Sequence, residues 1–221
     1  MNQYNIPSNA IITIAGTVGV GKSSLTRAIA EKLNFRTSYE NVEHNPYLDK
    51  FYHDFKRWSF HLQMYFLAER FKEQKRMFEY GGGFVQDRSI YEDVDIFAKM
   101  HVEQGTMTPE DFKTYSNLFE AMVLTPYFPK PDVLIYLESD YEAVLERIQA
   151  RGRQMEIETD PEYWEMLFQC YENWINQFNA CPVVRVNINE YDLLSHPESV
   201  DVVLKKIGHV IHTYRQVDQR S

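Results

Sequence analysis

Ala10-Ile11-Ile12-Thr13-Ile14-Ala15-Gly16-Thr17-Val18-Gly19-Val20-Gly21-Lys22-Ser23 decides the fold of this chain. Its first six residues are a short β-branched run of the kind buried on both faces of a parallel sheet. The next eight fit GxxxxGK followed by Ser or Thr, with every required position filled. Glycines let such a loop curl until its backbone N–H groups point inward, and a helix starting near Gly21 adds its positive end to the same spot. The ligand for that geometry is a phosphate. Lys22 supplies a cation for the outer phosphates, Ser23 a hydroxyl for Mg²⁺, and Ser24 belongs to the same nucleotide-binding set. A chance glycine-rich turn would lack the strand before it and the amphipathic helix after it, which here runs from Leu25 to Leu33.

Outward from this loop, apolar runs of strand character alternate with longer helical segments. The pattern predicts strands at Thr37 to Glu40, Phe84 to Asp87, Asp132 to Leu137 (after the breaker Pro129-Lys130-Pro131) and Pro182 to Val186. A long helix is expected from Arg57 to Tyr80, stopped by Gly81-Gly82-Gly83. Strands alternating with helices predict an α/β fold, a parallel five-stranded sheet flanked by helices on both faces. No repeat, low-complexity segment or long linker divides the 221 residues, so one domain over 1–221 is expected.

Composition narrows the partners. A formal net charge of -9 repels polyanions, which argues against a nucleic-acid polymer, so any bound phosphate must be held by a few local Lys and Arg residues. Cys170 and Cys181 show neither CxxC spacing nor a paired His, which suits reduced thiols rather than a disulfide framework or zinc site. The N-terminus lacks a basic segment followed by an apolar core, and no apolar run approaches the roughly 20 residues that span a bilayer. A soluble, cytoplasmic protein without a membrane partner is the expectation.

A phosphate loop alone does not separate kinases from GTPases and ATPases. The DxxG and NKxD segments of a GTPase are absent, and the second acidic strand ends Asp87-Arg88-Ser89 rather than Asp-Glu. An arginine beside a metal-binding carboxylate suits charge neutralisation during phosphoryl transfer better than activation of water.

Several segments together resemble the deoxyribonucleoside kinase family, in the family's order and over nearly the whole chain. They are the phosphate loop, Glu40, Asn45-Pro46-Tyr47-Leu48 through Tyr52-His53-Asp54-Phe55, Arg57-Trp58-Ser59-Phe60-His61-Leu62-Gln63, Asp87-Arg88-Ser89-Ile90-Tyr91-Glu92-Asp93, and Arg147 through Glu156. The likeness is greatest to bacterial deoxyadenosine/deoxycytidine kinases. It implies the P-loop kinase fold with an arginine-rich lid over about 147–158, and transfer of the terminal phosphoryl group of ATP (or GTP) to a deoxynucleoside 5′-hydroxyl. Glu40 matches the general base, which suits a neutral hydroxyl acceptor. Asp87 matches the acidic residue that organises Mg²⁺, with Ser23; many relatives carry Glu there, and the shorter side chain makes contact through water as good a reading as direct ligation. Arg88 resembles the arginine near the acceptor oxygen, where it would also hold Glu40. Arg147, Arg151 and Arg153 resemble the lid over the donor phosphates; Arg147 and Arg151 share a helical face, and Gly152 lets the chain turn.

For the acceptor, Gln63 resembles the residue that reads the base edge. Its amide offers an acceptor beside a donor, which matches adenine and cytosine, although a flipped amide could read guanine. Arg70 and Asp93 match a pair near the base, Phe97 one turn beyond could stack on it, and Tyr52 with Glu156 matches the residues that hold the sugar 3′-hydroxyl. Asn187 to Asp192 loosely resembles the loop around the donor base. The resemblance also implies a homodimer packed through long helices. Deoxyguanosine kinase, a nucleoside monophosphate kinase and a non-catalytic nucleotide-binding regulator are the rival readings; Glu40 and the Arg70–Asp93 pair argue against the last.

Overall fold

Every residue of β1 (Ile11–Ala15) is buried, Thr13 included, and the strand lies at the centre of the sheet. The computed structural model describes residues 3–40, 42, 44–190 and 197–218. The other strands are β2 (Arg36–Ser38), β3 (Phe84–Asp87), β4 (Val133–Glu138) and β5 (Val183–Asn187), in the spatial order β2-β3-β1-β4-β5 with every pairing parallel. Ile14 stands opposite Asp87 on one side and Ile135 on the other. This register brings the loop after β1 and the acidic end of β3 out at the same sheet edge, where ligands of open α/β sheets bind.

Helices cover both faces. Ile12, Ile14, Val85 and Ile135 point to α1 (Lys22–Leu33) and α10 (Pro197–Asp218), meeting Ile29, Val203 and Ile207. Leu134 and Tyr136 point the other way, into a cluster with Phe51 of α2 (Leu48–His53), Val144 and Ile148 of α7 (Tyr141–Arg151), and Leu167 and Tyr171 of α9 (Pro161–Ile175). A third cluster joins Leu67 of α3 (Phe55–Tyr80) to Tyr115 of α6 (Pro109–Val123). Inside α10, a Cβ at Gly208 would collide with the Tyr4 carbonyl oxygen, so glycine there lets the N-terminal segment lie against the helix.

Boundaries differ from the sequence pattern for local reasons. The long helix begins at Phe55, two residues early, because Asp54 caps it by accepting the Arg57 N–H at 3.0 Å. Its end at Gly81, with φ 66°, is as expected. The second strand stops at Ser38, so Glu40 sits on irregular backbone rather than inside a strand. After β3, α4 (Ile90–Glu92) runs without a break through a π-helical segment (Asp93–Ala98) into α5 (Lys99–Glu103). Arg147 and Arg151 lie on α7 and Arg153 at the N-cap of the short α8 (Gln154–Ile157), with Gly152 between them at φ 73°. Of the stretch assigned to the donor base, Asn187 to Glu190 ends β5 and turns, while Tyr191 and Asp192 lie outside the described residues.

Candidate active site

The loop Gly16–Ser23 closes over the end of β1. Gly16 has φ 141°, and a Cβ there would stand 2.9 Å from the Leu137 carbonyl oxygen. Gly19 has φ 82° and the same lack of room, with the Val144 carbonyl 3.1 Å from its Cβ position. Side chains at either position would push the loop off β4 and α7. Val20 turns inward to the core rather than to the cleft, and Thr17 is buried. Val18, Gly19 and Gly21 to Ser24 face a cleft of about 720 Å³. Lys22 is nearly buried and donates to the carbonyls of Gly16 and Thr17 at 2.8 and 2.9 Å. Burial pulls its ammonium down to about 8.

Ser23 Oγ donates to Asp87 Oδ2 at 2.5 Å. Two hard oxygen donors thus stand side by side at the mouth of the loop. Among the described residues no cluster of three or more His, Cys, Asp or Glu forms a protein-only metal cage. A pair of oxygens beside a phosphate loop fits Mg²⁺, which usually keeps waters and phosphate oxygens among its ligands.

Glu40 faces the same cleft, partly exposed. Its Oε1 accepts from Arg70 Nη2 at 3.1 Å and lies 3.3 Å from Arg88 Nε. Burial raises the proton affinity of this carboxyl, but Arg88, Arg70 and Lys22 outweigh burial and hold it below the usual glutamate range. Arg70 stands behind the cleft wall. It also donates to Asp93 Oδ2 at 3.1 Å and to the Asp87 carbonyl at 3.1 Å, so one guanidinium ties two carboxylates to the end of β3. Asp93 is buried, and desolvation pushes it up to about 6 despite Arg70. The two carboxylates therefore separate into one that stays ionised and one that accepts a proton readily.

The deep end of the cleft holds Gln63, Asp93 and Phe97, together with apolar walls from Phe51, Leu62 and Phe66. Gln63 is 2% exposed and its Oε1 has no partner among the described residues, so a buried acceptor points at the ligand space. The Arg88 guanidinium lies 4.7 Å over the Phe97 ring, which leaves only the other face of that ring for stacking. Tyr52 and Glu156 line the cleft nearer the lid, as does Tyr163.

The arginines of the lid are placed unequally. Arg147 is exposed and donates to Ser139 Oγ at 3.2 Å. Arg151 donates twice to Glu156 Oε2, at 3.2 and 2.5 Å, and Arg153 to Oε1 at 3.1 Å. The anionic partner that sequence reasoning required for these arginines is, for two of the three, a carboxylate of the chain itself.

Two residues under the site escaped the sequence reading. Glu92 is wholly buried and accepts from Tyr171 Oη at 2.9 Å and from the Gly16 N–H at 3.4 Å on one oxygen, and from Ser89 N at 2.7 Å on the other. Arg88 Nη1 donates to Tyr171 Oη at 3.1 Å. The Ser89-x-x-Glu92 spacing carries a capping-box signal that could have pointed to Glu92; nothing local marks Tyr171.

The family model described as deoxynucleoside kinase matches residues 12–212. The chain is 64% identical over 212 residues to a deoxyadenosine/deoxycytidine kinase of Bacillus subtilis (strain 168), covering 96% of this chain and 98% of the relative. A deoxyguanosine kinase of the same organism is 36% identical over 200 residues, covering 88% and 90%. Among solved structures, a deoxyadenosine kinase from M. mycoides with bound dATP superposes with a TM-score of 0.77 at 32% identity, covering 90% of this chain and 98% of that one.

Proposed function

Because the chain belongs to the deoxynucleoside kinase family, we propose that it phosphorylates deoxyadenosine and deoxycytidine at the 5′-hydroxyl, with ATP or GTP as donor. One observation carries the mechanism: Glu40 is held ionised by Arg70 and Arg88 in the cleft that also receives the phosphate loop. Identity of 64% to a deoxyadenosine/deoxycytidine kinase, against 36% to a deoxyguanosine kinase, supports the choice of base.

In this reading the acceptor 5′-oxygen attacks the γ-phosphorus, the bond from that phosphorus to the β,γ-bridging oxygen breaks, and Glu40 takes the hydroxyl proton. Arg88 and Lys22 balance charge on the group in flight. The loop 16–23, with Ser24, wraps the donor phosphates, and Arg147, Arg151 and Arg153 close on them. Ser23 and Asp87 would hold Mg²⁺. The ion, when bound, neutralises charge on the β- and γ-phosphate oxygens. Gln63 reads the base edge, with Asp93 beside it, Arg70 steadying Asp93 from behind and the free face of Phe97 against the ring. Tyr52 and Glu156 take the 3′-hydroxyl.

The whole chain acts as one kinase domain and works as a cytoplasmic homodimer. Cys170 and Cys181 are unpaired thiols, and among the described residues no helix is long and apolar enough to cross a membrane. Support for pairing comes from apolar side chains left exposed on and after α6 and at the end of α3: Leu118, Leu124, Tyr127 and Phe78. The test is a product assay with Mg²⁺ and ATP against the four deoxynucleosides and their monophosphates. dAMP and dCMP should accumulate from the nucleosides; preferential conversion of the monophosphates, or of deoxyguanosine, would reject the assignment.

A further inference from the structure

Arg88 is a non-glycine residue at φ 71°, and such backbone persists only where its surroundings over-determine it. Three contacts do so. The Arg88 N–H donates to the Ile14 carbonyl at 2.8 Å, the peptide after it is held through the Ser89 N–H on Glu92, and the guanidinium donates to Tyr171 Oη. Tyr171 Oη in turn donates to the same Glu92 oxygen that accepts the Gly16 N–H. Glu92 and Tyr171 are both 0% exposed and neither lines the cleft.

We infer that Tyr171 and Glu92 are positioning residues that lock the phosphate loop and Arg88 into one register for phosphoryl transfer. The geometry is that of a relay with a single pivot. Glu92 fastens the entry of the loop through Gly16 and the turn after β3 through Ser89. The Tyr171 hydroxyl, as donor to one partner and acceptor from the other, carries that fixed point to the guanidinium facing Glu40. A carboxylate here accepts at both oxygens, whereas an amide could accept at one side only and would turn a donor toward the other. The ring of Tyr171 packs in the core under the sheet whether or not the hydroxyl is present, so the hydroxyl has a task separate from packing.

This inference rests on Arg88 and Glu40 acting at the transferred group. The test is steady-state kinetics of the full chain with deoxyadenosine and Mg²⁺-ATP for Tyr171→Phe, Arg88→Lys and the double variant. Tyr171→Phe should lower kcat about tenfold with both KM values within about threefold of the parent. In the Arg88→Lys background, where the guanidinium that uses the hydroxyl is gone, the same change should cost less than about twofold. Unchanged kcat, a loss carried by KM, or an equal loss in both backgrounds would overturn the relay while leaving the site reading intact. Full activity of Arg88→Lys would overturn both. Should Tyr171→Phe fail to fold, as judged by near-UV circular dichroism, Glu92→Gln is read in the parent background alone: a loss of about tenfold in kcat with both KM values within about threefold is expected, and an unchanged kcat or a loss carried by KM would overturn the relay.

Discussion

Glu40 and Asp93 share one guanidinium and end with opposite proton affinities. Glu40 also feels Arg88 and Lys22 and stays below the usual range, while Asp93, deeper, is pushed up to about 6 by burial. A carboxylate that is ionised at neutral pH is what a base for a 5′-hydroxyl requires. Glu40→Gln should keep deoxynucleoside binding, read by calorimetry, and lose about 10²–10⁴-fold in kcat. Away from the site, His101 is buried among Phe51, Phe55 and Tyr163, with its Nδ1 on Thr106 Oγ1, and burial pulls it down to about 4. Its folded value lies below the unfolded one, so its contribution is complete above about pH 6.5 and fades as pH falls toward 4. Urea midpoints should therefore show the parent losing about 2 kcal/mol more than His101→Phe between pH 7 and pH 5. At this scale motif and family order led to Lys22, Ser23, Glu40 and Asp87, and these four line one cleft. The sequence was silent on Tyr171, because that hydroxyl acquires partners only when α9 packs beneath the sheet.

Among the elements, the lid shows most clearly what a linear reading misses. Its arginines are legible as a basic run with a glycine hinge, yet their attachment to Glu156 depends on α8 folding back on the end of α7. That attachment makes one carboxylate answer to both the lid and, in the proposed reading, the sugar. Glu156→Gln should raise KM for deoxyadenosine about tenfold, and the 2′,3′-dideoxynucleoside should then be used almost as well as the deoxynucleoside. Comparing kcat/KM for the two acceptors checks this. The long helix was legible over most of its length because Gly81 stops it and no breaker interrupts it. Its true start lies at a side-chain cap, and Asp54→Ala should cost about 1 kcal/mol in equilibrium unfolding. The π-helical segment left no mark in the pattern of apolar residues, although it carries both Asp93 and Phe97.

For the molecule as a whole, alternating strands and helices were enough to anticipate a parallel sheet covered on both faces, since each apolar run needs cover on two sides. The order of strands was not legible, because register depends on which runs meet and not on where they lie along the chain. The proposed dimer belongs to this scale. Leu124 is 84% exposed and Tyr127 stacks edge-on with Phe78 at 5.6 Å, which leaves an apolar ridge on the outer side of α3 and α6. Leu124→Glu should shift the particle from dimer toward monomer in sedimentation velocity while leaving circular dichroism unchanged.

The central place of β1 also dictates how the chain must be made. Ile11–Ala15 leaves the ribosome before any other strand, yet its two neighbours end only at Asp87 and Glu138. Until the first of them has been synthesised, a strand of four apolar residues and one threonine has no neighbour to pair with, and its second side stays open until β4 follows. Assembly is therefore governed by contacts distant in sequence, which fold slowly and leave strand edges open to other chains. The strand that leads into the proposed phosphate loop is thus one a nascent chain has to shield.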